Sequence, residues 1–265
     1  MKDCREEWYD KDAKVAVTIV DVTSAAQELA RGHLAGPTST HFLTEALASV
    51  ALLGAEMSEK DETVILQMKC KGPLGGYNVE CTSEGTLRGY AEKKVLEDFD
   101  GLGKPDTRKV IGEAQIQVTR SVPGRILSQG ISTSVDGYLA GSLQRKACIR
   151  TEVAVSDEVE VLEARGVMVE DMPDAKGELK CCHVTDPKSL SVASRSILKQ
   201  LGLENAELRK TTPLKFACRC SPDRAIAMLA ALSEEERKTL PPTIDITCHM
   251  CGRTYTVKVR DVREV

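Results

Sequence analysis

Val15, Val17 and Ile19 alternate with other residues in a run ending at Asp21-Val22, which predicts an opening β-strand. Two helical stretches follow. The first covers 24–34 and is stopped by Gly36-Pro37. The second covers 40–57, with Leu43, Ala46, Leu47, Val50 and Leu53 at helical spacing. Strand composition returns at 63–70. Gly72-Pro73-Leu74-Gly75-Gly76 then turns the chain into 77–82, and Ser83-Glu84-Gly85 turns it into 86–92, an antiparallel meander. Further strands are expected at 109–119 and 125–132. Asp136 is placed to cap a helix running to Lys146, ahead of strands near 149–155 and 166–172. Runs of strand with few helices predict an α+β fold, not a doubly wound one.

Beyond this the pattern changes. Residues 156–180 are rich in acidic side chains, best explained as a solvated face. Asp186-Pro187 opens a helix that Gly202 closes, with Leu190, Ala193, Ile197, Leu198 and Leu201 on one side. A polar connector runs from there to Lys215. Ser221-Pro222 starts a short amphipathic helix, Ser233 to Glu236 form a capping box for another, and Pro241-Pro242 end it. Residues 243–247 and 255–259 alternate like a hairpin with Cys248-His249-Met250-Cys251-Gly252 at its tip. The expected division is an N-terminal sheet-and-helix domain over 1–175, a helical linker over 176–216, and a small C-terminal domain of short helices and a hairpin over 217–265.

The tip matters because of the cysteines near it. Cys218-x-Cys220 in an extended segment points two thiols to one face, and Cys248-x-x-Cys251 aims two more at one point across a tight turn. Gly252 supplies the left-handed residue such a turn needs. Four thiolates at tetrahedral corners make a structural zinc site, and a segment this small usually needs a metal or disulfides to be stable. Cys218, Cys220, Cys248 and Cys251 are therefore the expected zinc ligands. His249, between two of them, is expected to face solvent. A thioredoxin-type role for Cys248-x-x-Cys251 is disfavoured, because the motif lies between two strands and not ahead of a helix. Zinc would hold the thiols in their oxidisable form while its binding energy, about 10–16 kcal/mol in comparable peptides, supports the small domain. Its loss is expected to deprive the nearby linker helix of a packing partner and expose an apolar surface.

Bulk properties fit this picture. The chain has 265 residues, 42% hydrophobic and 29% charged, with a formal net charge of −4, which argues against a nucleic-acid binder. Basic and acidic residues nearly balance from Ala217 onward, and 3% aromatic content gives little for base stacking. The N-terminus lacks the apolar segment of a signal peptide, and the apolar stretch 42–57 is too short and polar to cross a bilayer. A cytoplasmic protein without membrane or nucleic-acid partners is expected, and in a reducing compartment clustered cysteines bind metal or sense oxidants.

These motifs resemble the redox-regulated thirty-three-kilodalton heat-shock protein family. The resemblance rests on Leu214-Lys215-Phe216 before Cys218-x-Cys220, on Cys248-x-x-Cys251-Gly252, on Gly72-Pro73-Leu74-Gly75-Gly76, and on Gly85 followed by Leu87-Arg88-Gly89-Tyr90. It implies an ATP-independent holdase chaperone, inactive when reduced and zinc-bound. It also implies that Cys218 pairs with Cys220 and Cys248 with Cys251 on oxidation, that zinc leaves, that the linker unfolds, and that a homodimer forms to hold unfolding clients. The chain departs from the family at Ser142-Leu143-Gln144-Arg145, which puts the dimer surface in question, and at Ile111-Gly112-Glu113-Ala114. The competing reading is a structural zinc-ribbon module that binds a partner or nucleic acid without redox activation.

No enzyme pattern stands out. Gly72 to Gly76 lack the lysine-serine pair and the helix of a phosphate loop and read as a hairpin turn. His33, His41 and His183 have no nucleophile motif beside them. Cys70 and Cys81, in adjacent strands, are placed to face each other as free thiols, Cys181-Cys182 is a vicinal pair near the linker, and Cys4 and Cys148 have no activating neighbours.

Overall fold

The computed structural model describes residues 3–173, 175 and 190–262. Its body is two antiparallel sheets with helices between them. The first sheet has the order β10(Glu207–Pro213)-β1(Cys4–Asp10)-β2(Val15–Asp21)-β9(Val161–Asp171)-β8(Lys146–Val155). The second has the order β11(Lys215–Phe216)-β5(Thr86–Ala91)-β4(Gly76–Thr82)-β3(Thr63–Cys70)-β6(Ala114–Val122)-β7(Arg125–Ser132), with only β11 on β5 parallel.

Helix α2 (Pro37–Leu53) fills the space between the sheets. It is apolar or small on nearly every side, so it has no wet face, as expected of a helix buried all round. Its core includes Phe42, Leu47, Leu52 and Leu53 with Leu66, Val79, Leu87 and Val118 of the second sheet and Val20 and Met168 of the first. Pro37 opens α2 as its first residue, and does not merely stop α1 (Thr23–His33) before it. Period-two alternation along β2 puts Val20 on this inner face and Val15, Val17 and Ile19 on the outer one.

The meander 63–91 has the turns and strands the pattern predicts. Several other boundaries differ. Residues 109–110 belong to α3 (Thr107–Val110), because Asp106 accepts the Arg108 N–H at 3.0 Å; β6 begins only after the left-handed Gly112. The helix expected from Asp136 to Lys146 is α4 (Val135–Gly141), capped by Ser134. Asp136 instead accepts the Ile149 N–H of β8 at 2.7 Å. Glu170 of the acidic stretch is not solvated: it is buried and ion-paired with Arg145, which also holds Glu56. Cys70 and Cys81 do not face each other. Cys81 pairs with Val64 at one end of β3, and Cys70 sits at the other.

The polar connector before Lys215 is strand β10, hydrogen-bonded to β1. Of the expected linker helix, Asp186-Pro187 lie outside the described residues, as do Cys181, Cys182 and His183. The described part is α5 (Ser194–Gln200). It packs Ile197, Leu198 and Leu201 on Trp8, Val15, Val17, Ile19, Val167 and Val169, the outer face of the first sheet. Arg195 stacks over the Trp8 ring at 4.6 Å. The helix therefore leans on the body and not on the C-terminal lobe.

That lobe has α6 (Pro222–Ala230), α7 (Glu234–Thr239) and the hairpin β12(Thr243–Thr247)/β13(Thr254–Lys258). Its own core comprises Ala225, Leu229 and Val257 with partly buried neighbours, all from the lobe itself.

Candidate metal centre

The four predicted cysteines come together from two segments. Residues 218–220 arrive extended from β11, and Cys248 to Gly252 form the hairpin tip. There Cys248 N–H bonds to Arg253 O at 2.8 Å, and Gly252 N–H bonds to Cys248 O at 2.9 Å. Gly252 adopts φ +72°, the left-handed value that closes the knuckle. Ser221 caps α6 immediately after Cys220 and fixes the direction in which the first pair leaves the site.

The four sulfurs lie within 4.8 Å of one another. Cys218 and Cys248 Sγ are 3.7 Å apart, Cys220 and Cys251 Sγ 3.4 Å. A tetrahedron with metal–sulfur bonds of about 2.3 Å has edges of about 3.8 Å, so this set can hold one metal ion, and four thiolates are a donor set zinc prefers. His249 is exposed and stacks edge-on against Tyr90, centroids 4.6 Å apart, away from the sulfurs.

Crowding alone does not ionise the set. Burial raises the Cys218 thiol, but the Cys220 N–H and the Arg88 guanidinium outweigh it and bring Cys218 down to about 7. Burial pushes Cys248 and Cys251 up; the Cys218 sulfur adds to the rise at Cys248, and the other three sulfurs add to it at Cys251. Cys218 is favoured as a thiolate while Cys248 and Cys251 resist, so a cation would be what holds the set as thiolates. The Tyr255 hydroxyl lies 3.1 Å from Cys220 Sγ and can donate to it.

Several residues around the centre are not assigned to it by the sequence reading. Arg88 of β5 reaches Cys218 Sγ at 3.6 Å and is ion-paired with Glu80 of β4. Glu80 also accepts from Arg219 at 2.9 Å. The edge of β5 carries the rest of the seam: Lys215 N–H bonds to Gly85 O at 3.0 Å, Ala217 N–H to Leu87 O at 3.1 Å, and Gly89 N–H to Met250 O at 3.2 Å. His33 Nε2 donates to Gly89 O at 2.7 Å, and burial lowers the imidazole's pKa. Glycine faces glycine at the end of α1. A Cβ on Gly32 would lie 2.6 Å from Cys251 O, and one on Gly252 would lie 2.0 Å from Gly32 O. A cross-strand Arg88/Glu80 pair is readable from the meander, but its cysteine partner is not.

The remaining cysteines lie elsewhere. Cys81 is buried beside Arg5 and raised to about 11 by burial, and burial also raises Cys4 and Cys70. Cys148 is packed against the outer cluster of the first sheet.

The sequence matches the family described as Hsp33 protein over residues 7–258. It is 30% identical to a 33 kDa chaperonin of Thermus thermophilus, over 94% of this chain and 82% of that protein. It is 27% identical to one from Symbiobacterium thermophilum, over 92% of this chain and 90% of the other. The crystal structure of a 33 kDa chaperonin (heat shock protein 33 homolog) from Thermotoga maritima superposes with a TM-score of 0.78 over 99% of this chain and 97% of that one, at 21% identity, which shows the shared fold. No helix among the described residues is long and apolar enough to cross a membrane. By the extent of the family match and the identity to named relatives, this chain belongs to the Hsp33 protein family of chaperones.

Proposed function

We propose that the protein is a redox-regulated, ATP-independent holdase whose switch is a zinc centre made by Cys218, Cys220, Cys248 and Cys251. In this reading residues 1–175 are the chaperone body, 176–216 the linker and 217–265 the switch. One observation carries it: four sulfurs meet in a lobe whose core, among the described residues, comprises just Ala225, Leu229 and Val257 as buried apolar side chains, so the lobe depends on what the sulfurs hold. Zinc, when bound, keeps the four sulfurs as thiolates and cross-links the two segments.

The Cys218 thiol is brought down to about 7, with the Arg88 guanidinium against it. Oxidation joins Cys218 to Cys220 and Cys248 to Cys251. Each pair of thiols gives up two electrons and two protons, which one peroxide accepts as its O–O bond breaks and two waters form. The Cys220 and Cys251 sulfurs then no longer tie the extended arm to the knuckle, and the lobe loses its support. Release of the lobe and of the linker exposes surface for unfolding clients and for a second copy of the chain. The protein works by holding clients and not by turnover, in the cytoplasm.

The test uses one preparation. A chromogenic chelator measures zinc before and after peroxide at raised temperature, while aggregation of a denatured client is followed in parallel. Zinc release together with a gain in suppression is expected. Zinc release without that gain would leave a structural zinc protein and defeat the proposal.

A further inference from the structure

The seam between metal lobe and body holds two charged side chains that the four-sulfur site does not itself require. Arg88 is 15% exposed and Glu80 8% exposed. Charges this buried need partners, and each has found them across the seam. Arg88, flanked by Leu87 and Gly89, sits in the middle of the β5 edge that receives the lobe. Its Nη1 donates to Cys218 Sγ at 3.6 Å while its Nε is paired with Glu80. Glu80 takes Arg219, the residue between the first two cysteines, at 2.9 Å. Sulfur, guanidinium, carboxylate and guanidinium thus alternate in sign, and the chain of charges starts and ends in the lobe while its middle belongs to the body.

A dication among four thiolates would leave the centre net negative; Arg253 of the lobe faces Cys220 and Cys251, and the body supplies Arg88 to Cys218. Glu80 fixes the guanidinium from behind, so the cation that the body presents to Cys218 is held in place. Lysine is a poor substitute: it is a point charge and lacks the fork that serves carboxylate and sulfur together.

We propose that Arg88 is the positioning residue through which the chaperone body reads the metal centre: anchored by Glu80, it holds the lobe on the β5 edge only while Cys218 is a thiolate. This rests on the redox reading above. When Cys218 enters a disulfide its charge is gone, Arg88 keeps a single partner, and the contact that spans the seam is lost.

Two amides report docking alone. Gly89 N–H points out of the sheet to Met250 O, and Ala217 N–H points to Leu87 O. The experiment measures their hydrogen exchange in the full-length, reduced, zinc-loaded protein, in Arg88→Met and in Arg88→Lys, with zinc content assayed alongside. Arg88→Met is expected to keep its zinc, since the four ligands are untouched, and to exchange both amides about tenfold faster, as a charge-assisted hydrogen bond is lost. Arg88→Lys should fall between it and wild type. Peroxide should take wild type at least to the exchange rates of reduced Arg88→Met.

A second readout separates positioning from mere packing. In cobalt-substituted protein the sulfur-to-metal charge-transfer band should move in Arg88→Met and move back part-way in Arg88→Lys, because an N–H donor on one sulfur has been removed or replaced. If Arg88→Met does not fold, Glu80→Gln tests the same anchor at unchanged volume. Wild-type exchange and a wild-type cobalt band in the soluble variant overturn the proposal. A wild-type protein that docks its lobe through Arg88 but gains no client-holding on oxidation would defeat the redox reading instead, so the two failures are distinguishable.

Discussion

Gly32→Ala offers a perturbation whose sign depends on the state of the metal lobe. Gly32 lies in the last turn of α1 with an ordinary helical backbone, so alanine should favour the helix by about 0.5–1 kcal/mol. The new Cβ, however, lands 2.6 Å from Cys251 O, where ordinary contact begins at 3.4 Å. The obstacle is backbone and cannot swing aside. Overpacking of this kind costs roughly 1–3 kcal/mol, so while the knuckle is docked the collision outweighs the helix gain by up to about 2.5 kcal/mol. With the knuckle withdrawn only the gain remains.

Reduced, zinc-loaded Gly32→Ala should therefore keep its metal yet exchange the Gly89 and Ala217 amides roughly tenfold faster than wild type, a factor corresponding to about 1.4 kcal/mol. After peroxide treatment the order should reverse: the body of the variant should melt about 2–4 °C above that of wild type for each kcal/mol of helix gain. Wild-type amide protection in the reduced variant, or a lower melting temperature in the oxidised one, would refute the reasoning. The first result would mean that the knuckle does not press on α1, the second that glycine at 32 serves the body itself.

Three further outcomes follow from the packing. Removing the metal with a chelator should abolish amide protection in α6, α7 and the β12/β13 hairpin while α2 keeps its own; a protected hairpin after chelation would show that the lobe folds without metal. Leu198→Ala, on the helix that leans on the first sheet, should cost about 2–5 kcal/mol in denaturant unfolding of the body without changing zinc affinity; an equal loss of zinc affinity would place α5 on the lobe. Glu62 is fully buried. Burial raises its pKa, but Arg120 and the Ser58 and Glu59 N–H groups hold it below 4.5 overall. A carboxylate depressed in the folded state adds stability above its unfolded pKa, and that stability disappears as pH falls from 4.5 through its lowered value. Glu62→Gln should flatten that part of the stability profile, and parallel profiles for wild type and variant would contradict this.

Much of the body was legible because its signals are local. The meander from Thr63 to Ala91 alternates with period two and is punctuated by Gly75, Gly76 and Gly85, all with positive φ, so both strands and turns show in the sequence. The four cysteines were legible for a similar reason: their spacing encodes the geometry. Strands β1 and β10 were not. Their residues are mostly polar because they lie near the sheet edge, where pairing partners and not apolar faces define the strand. Arg5 is the extreme case, a charged residue in an apparently polar stretch whose guanidinium is buried and donates to Ala51 O at 3.2 Å. The packing of α5 was misjudged because amphipathicity states that a helix has a partner and not which one. Its partner, the outer face of β2 and β9, comes from strands far apart in sequence.

In the proposed redox reading, the composition of the seam accounts for how thiol chemistry at its far side would open it. Phe216 and Leu214 belong to the body's core, and among the described residues no hydrophobic cluster joins that core to Ala225, Leu229 and Val257 of the lobe. Described contacts across β5 are backbone hydrogen bonds at Gly85, Leu87 and Gly89, the glycine contact at Gly32, the Tyr90–His249 ring pair, and the Arg88 and Glu80 charges. Each such hydrogen bond is worth only about 0.5–1.5 kcal/mol net, because water satisfies the same groups once the seam parts. An apolar seam would resist separation in proportion to its area whatever the sulfurs were doing. A hydrogen-bonded seam demands geometry instead, and Cys218, Met250 and Gly252 belong to or adjoin the four-sulfur cluster that sets it. Moving the knuckle by about one ångström removes the Gly89 bond and the Gly32 fit together, since a hydrogen bond stretched that far is effectively broken. Closure therefore depends on the sulfurs being held in one arrangement, which is the property a reversible thiol switch needs from the surface it controls.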